Sequence, residues 1–201
     1  MSAEPDAQRY FDGLYERSDD PWLLRERWYE SRKRALTLAM LPDAHYARAY
    51  EPGCATGELT AELAPRCDAL LAADLSADAV TLARRRVAHL SNVKIEQRAI
   101  PDDWPDGRFD LIVISELAYY LDESQLARLA ARIESSLAPG GTIIACHWRQ
   151  PIEGWPHSGD FVHAELRATL PLARLSHYQD EDVLLDVWSS NAASVHRREA
   201  R

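Results

Sequence analysis

Four short stretches carry the residues able to do chemistry. Glu51-Pro52-Gly53-Cys54-Ala55-Thr56-Gly57 sets two glycines among small residues, the composition of a tight turn where backbone can approach a ligand closely. Glu51 and Glu58 bracket the turn, and Ala55 stands where a dinucleotide loop needs its central glycine. Acids in that place suit a cationic or zwitterionic ligand better than a phosphate. Asp74 ends the apolar run that follows, about 20 residues on, where a carboxylate can accept both hydroxyls of a ribose. Its other reading is a helix cap, a task for which Ser76 is also available.

Glu116 is followed by Tyr119 and Tyr120, and His147 is followed by Trp148. Aromatic faces beside a carboxylate attract an amine as its ammonium form, and a carboxylate or imidazole can then take the proton. Glu116 and His147 are therefore the candidate bases. His147 also reads as a satisfied core histidine, and His157, on a Pro- and Gly-containing loop, is a third candidate on the acceptor side. No spacing of His and Cys residues is diagnostic of a metal site.

These residues need a scaffold that brings them to one rim. From Tyr46 onward short apolar runs alternate with helical patterns, the rhythm of a parallel sheet covered on both faces. Strands are expected at 47–51, 69–74, 93–98, 109–115 and 142–148, with helices at 57–64, 77–90 and 123–137. Asp122 caps the last helix, and Pro139-Gly140-Gly141 closes it. A helix at 160–169 and a hairpin of 172–178 with 183–189 follow. Glu116 and His147 thus fall at carboxyl ends of strands, where open parallel sheets bind ligands. The second half of the segment before Pro42 is helical, with Trp22, Leu24, Trp28, Leu36, Leu38 and Leu41 among charged residues, and should cap the sheet. The expectation is a single α/β domain: a Rossmann-like, seven-stranded sheet over 46–190 with a terminal antiparallel hairpin, a helical lid over 1–45 and a frayed tail over 191–201.

Composition narrows the partners. The chain has 201 residues, 46% of them hydrophobic, and its 23 basic and 32 acidic residues leave a net charge of -9. An acidic surface disfavours nucleic acid and anionic lipid, so Arg84-Arg85-Arg86 reads as a solvated helix face. No apolar run approaches the roughly 20 residues that span a bilayer, and the start carries no basic-then-apolar leader. A cytoplasmic protein without membrane partner is expected. Three cysteines lack paired spacing and read as reduced thiols. Nothing in the sequence sets an oligomeric state.

The loop 51–57, the acid Asp74, the strand 109–116 and the turn 137–141 together resemble the successive motifs of class I S-adenosylmethionine-dependent methyltransferases. More narrowly, Asp20-Pro21-Trp22, Gly53-Cys54-Ala55, Leu63-Ala64-Pro65 with Cys67, and Glu116-Leu117-Ala118-Tyr119-Tyr120-Leu121 resemble the nodulation protein S family, which N-methylates a deacetylated chitooligosaccharide. The resemblance implies that Glu51, Gly53, Cys54, Ala55 and Gly57 hold the methionyl part of S-adenosylmethionine, Asp74 and Leu75 its ribose, and Arg98, Ala99 and Ile100 its adenine. Ser115 and Glu116 complete the cofactor wall. Trp22, Tyr29 and Arg32 or Lys33 would close over it, with a cation for the carboxylate. The acid usual near Arg98 is missing, so a backbone group or Asp102 must serve adenine. Tyr119, Tyr120, Trp148 and His157 are the expected acceptor contacts. The implied reaction is methyl transfer to an amine of a sugar or similar metabolite, leaving S-adenosylhomocysteine. O-methylation, a silent S-adenosylmethionine-binding module and a nicotinamide oxidoreductase are the rivals, and Ala55 with the flanking acids weighs against the last.

Overall fold

Side chains along the central strands alternate between two separate apolar clusters, which fixes helices on both faces of one sheet. In β4 (Phe109–Ser115), Ile112 and Ile114 face one cluster while Leu111 and Val113 face the other, the period-2 pattern of a strand buried on both sides. β5 (Leu137–Trp148) repeats it with Ile143 and Ala145 against Ile144 and Cys146. α5 (Glu123–Ser136) and α6 (Gly159–Thr169) cover the first face, and α2 (Trp28–Met40) and α3 (Glu58–Leu63) lie over the second.

The computed structural model describes residues 7–199; the outer ends of the expected lid and tail, residues 1–6 and 200–201, lie outside them. β1 (Tyr46–Pro52), β2 (Cys67–Asp74), β3 (Val93–Gln97), β4 and β5 are parallel, and β7 (Val183–Ser189) runs antiparallel between β5 and β6 (Ala173–Gln179). The order is β3-β2-β1-β4-β5-β7-β6. It reverses direction at β1 and β4, whose carboxyl ends therefore open a crevice. α4 (Ala77–Arg86) packs between β2 and β3 through Val80 and Ala83. No helix among the described residues is long and apolar enough to cross a membrane.

Four expectations need correction. α1 (Ala7–Tyr15) is a helix that the mixed polarity of AQRYFDGLY concealed. Pro139-Gly140-Gly141 does not separate α5 from β5; the strand begins at Leu137 and carries the glycines as an irregularity in its pairing with β4. The tail is ordered through Glu199: Arg198 in α7 (Val195–Glu199) pairs with Asp43 and bonds Ser189 and Asn191. Trp28, counted with the apolar pattern, is 76% exposed.

Candidate active site

A cleft of about 880 Å³ opens over the carboxyl ends of the parallel strands. Its floor is the loop after β1. Gly53 has φ 74° and Ala55 φ 48°, and a Cβ added at Gly53 would meet Leu117 at 3.4 Å. Gly53 and Cys54 both donate their N–H groups to Ala73 O, at 2.7 and 2.9 Å. Asp74 pins the turn from below: Oδ2 accepts from Ala55 N at 2.9 Å and Oδ1 from Ser76 N at 3.0 Å. Ser76 in turn caps α4 by accepting from Ala79 N. Burial pushes the Asp74 carboxyl above its ordinary range, and the donated N–H groups oppose this only in part.

Gly53, Ala55, Asp74 and Leu75 line the cleft, as do Arg98, Ala99, Ile100 and Asp102 farther along. The expected replacement for a missing acid is thus in the wall, where Asp102 pairs with Arg128 at 3.0 Å. Arg98 is neutralised by Glu96 and Asp103, at 2.6 and 2.7 Å. Glu51 lies behind the loop, 2% exposed, with Oε2 lacking a hydrogen-bond partner among the described residues. Burial pushes its carboxyl up to about 8, with the nearby Thr60 hydroxyl opposing. Cys54 turns into the small core under α4, and Gly57 lets α3 approach α4, a Cβ there meeting Ala83 at 3.2 Å. These three shape the loop without presenting side chains to the cleft.

The opposite wall is made of side chains. Glu116 directly follows β4 with φ 54°, a conformation rare outside glycine. Its Oε1 accepts from Lys33 Nζ at 3.1 Å and Trp148 N at 3.0 Å, and its Oε2 accepts from the Tyr119 hydroxyl. Lys33 also pairs with Glu30 at 2.8 Å and sits over the Tyr29 ring. Burial would lower the Lys33 ammonium, but Glu116 and Glu30 outweigh it and hold it above the usual range. Trp22, Leu24, Tyr119, Tyr120 and Trp155 continue the wall, and α1 closes the top with Ala7, Phe11 and Tyr15. Phe11 and Tyr120 meet edge to face at 5.0 Å between centroids, and Tyr120 and Trp155 at 4.8 Å.

Several expected residues are elsewhere. Arg32 points away to the β6–β7 hairpin, pairing with Asp180 at 2.8 Å, because one helical step separates it from Lys33 and turns it to another face. His147 is fully buried with both ring nitrogens bonded, to Ala118 N and His163; burial, His163 and Lys33 drive it well below the ordinary imidazole range. It is a core histidine. His157 stacks on Phe161 and does not line the cleft. Trp148 contributes its backbone N–H to Glu116 while its ring packs on Tyr29, and both rings lie outside the cleft lining. Ser115 backs the wall from the end of β4 without lining it. Sequence reasoning missed Phe11 and Tyr15, four residues apart on α1, together with Glu30 and Trp155. The spacing of the first two was a usable signal; the last two become neighbours of the site only through the fold.

A model of the nodulation protein S (NodS) family matches residues 13–179. The nodulation protein S of Rhizobium tropici is 36% identical over 132 residues, which cover 63% of this chain and 54% of that protein. The chain thus spans little more than half the length of that relative. The crystal structure of the N-methyltransferase NodS from Bradyrhizobium japonicum WM9 in complex with S-adenosyl-l-homocysteine superposes with a TM-score of 0.79 at 27% identity, covering 89% of this chain and 97% of that one. A crystal structure from Pseudomonas syringae is 49% identical, with a TM-score of 0.73 over 81% of this chain and 99% of that one.

Proposed function

The chain belongs to the nodulation protein S family, and we propose that it binds S-adenosylmethionine in this cleft and methylates an amine of a small-molecule acceptor, with an aminosugar the fitting class. The observation that carries the reading is the charge of the cleft. Glu30, Asp74, Asp102, Glu116 and Asp122 line it against only Lys33 and Arg98 among the described residues. Such a lining favours a sulfonium and an ammonium and disfavours a carboxylate acceptor.

The residues present fit the cofactor. Gly53 leaves its backbone bare at the floor, where a Cβ would already touch Leu117. Asp74 keeps acceptor capacity beyond its two backbone donors for ribose hydroxyls. Leu75, Ala99 and Ile100 offer the apolar walls an adenine needs, with Asp102 beside them. Lys33 is the cation available to a methionyl carboxylate. When bound, S-adenosylmethionine supplies an electrophilic methyl group open to in-line displacement.

The chain's own work is to hold, orient and deprotonate the acceptor. Glu116 has roughly four acceptor sites, and Lys33, Trp148 N–H and Tyr119 fill three. The fourth is free for an acceptor ammonium, whose proton it then takes. Tyr120 and Trp155 give flat apolar faces on which a sugar ring can lie, and α1 excludes water above them.

Calorimetry with S-adenosylhomocysteine tests the cofactor half. Wild type should bind it and ignore NADH. Asp74→Ala should lose about 1.5 to 3 kcal/mol of affinity, the cost of removing a charged acceptor from neutral donors. Unchanged affinity in that variant, or NADH binding in place of the homocysteine, would refute the assignment.

A further inference from the structure

We infer that Asp186, His163 and His147 form a buried positioning chain that sets the orientation of segment 116–120, with His147 held as the tautomer protonated at Nδ1. The direction of every bond follows from one backbone amide. Ala118 N–H can only donate, and it meets His147 Nε2 at 3.2 Å, so that nitrogen keeps its lone pair. The ring proton is then on Nδ1 and is donated to His163 Nε2 at 3.0 Å. His163 carries its own proton on Nδ1 and gives it to Asp186 Oδ2 at 2.7 Å. Asp186 Oδ1 accepts from His177 at 2.9 Å and Arg174 at 3.3 Å, which anchors the chain near the surface of β6.

The fold is built to permit this contact. Gly159 starts α6 so close to β5 that a Cβ there would lie 2.2 Å from Trp148 O and 2.9 Å from His147 Cβ. Only that approach brings His163 of α6 to His147 of β5. At the other end, Ala118 opens the short turn Ala118–Tyr120, and its buried N–H has no partner within the turn. His147 supplies the cap. Glu116, two residues earlier, holds a left-handed conformation that the surroundings must enforce, and Leu117 between them packs on the Gly53 position. A protonated His147 would turn its acceptor into a donor facing Ala118 N–H, and a protonated His163 would do the same toward His147. Lys33 and burial oppose such a charge on His147, while the Tyr119 ring covers it from the cleft side.

The chain's importance for turnover rests on the methyltransferase reading, but its test does not. Nitrogen-15 imidazole spectra of the wild-type protein without cofactor should show His147 neutral and protonated at Nδ1 from pH 5.5 to 8, about the range over which an ordinary histidine titrates. His147→Phe should speed hydrogen exchange at Ala118 by about tenfold or more while β4 amides keep their protection, and it should weaken S-adenosylhomocysteine binding by about tenfold. His147→Gln, which restores an acceptor near Nε2, should recover most of both effects. An Nε2-protonated or titrating His147 in the wild type would overturn the inference whether or not either variant folds. Equal Ala118 exchange in wild type and His147→Phe would do the same. Failure of the wild type to bind S-adenosylhomocysteine would instead count against the proposed function alone.

Discussion

The loop after β1 and the segment after β4 face each other across one cleft and are made by opposite means. The loop is contiguous and nearly bare of side chains: Gly53 and Ala55 present backbone, and Asp74 fastens it through N–H groups. The Glu116 wall is assembled from distant parts of the chain, with Lys33 and Glu30 from α2, Trp148 N–H from β5 and Trp155 from the loop before α6. A site made of backbone depends on conformation, whereas one made of side chains depends on charge balance. The first suits a fixed cofactor, and the second is where relatives sharing a fold can differ in acceptor.

The largest effect should come from attacking the conformation. Gly53→Val puts a β-branched residue at φ 74° against Leu117, and S-adenosylhomocysteine affinity should fall by about a thousandfold or more. Titration measures it, and binding within a few-fold of wild type would dissolve the distinction between the two walls.

Next in size is the buried acid behind the loop. Glu51 is pushed up to about 8 from an ordinary 4.5, so the folded chain holds a proton that the unfolded chain releases. Its contribution is present below about pH 4.5 and is lost as pH rises toward 8, on the order of 3 to 5 kcal/mol across the window. Glu51→Gln should therefore melt like wild type near pH 4.5 and above it near pH 8.5. Parallel melting curves for the two proteins across that range would show that Glu51 does not titrate there.

The smallest effect should come from Arg32, which neighbours Lys33 in sequence but serves the β6–β7 hairpin. Arg32→Ala should leave S-adenosylhomocysteine affinity within about twofold, and Lys33→Ala should not. Equal losses in both would place Arg32 back at the cleft.

The same contrast explains what could be read from the chain. Gly53 and Asp74 were legible because each sits at or just past the end of a strand whose pattern announces it, and the register of β1 with β2 does the rest; Ala99 came only from the family resemblance. The seven strands were legible for the same reason. The choice between Arg32 and Lys33, and between base and core histidine for His147, stayed open because periodicity puts a residue on an element without saying what packs against that face: a one-residue step on α2 and the approach of α6 at Gly159 decided them. Glu30 and Trp155 carry no local signal, since only the fold brings α2 and the 150–158 loop to Glu116. Helix α1 was hidden by its short, half-polar sequence, and it is stabilised by aromatic contacts across the cleft rather than by its own propensity.

The central claim is that the acid-lined wall makes this cleft a site for methylating amines. Mass spectrometry of a deacetylated chitooligosaccharide, its fully N-acetylated counterpart and a dicarboxylate, each incubated with the protein and S-adenosylmethionine, tests it directly. The account predicts one added methyl on the free amine alone, a rate reduced roughly a hundredfold or more in Glu116→Gln, and S-adenosylhomocysteine affinity in that variant close to wild type. Methylation of the dicarboxylate or of sugar hydroxyls instead, or full turnover in Glu116→Gln, would contradict it.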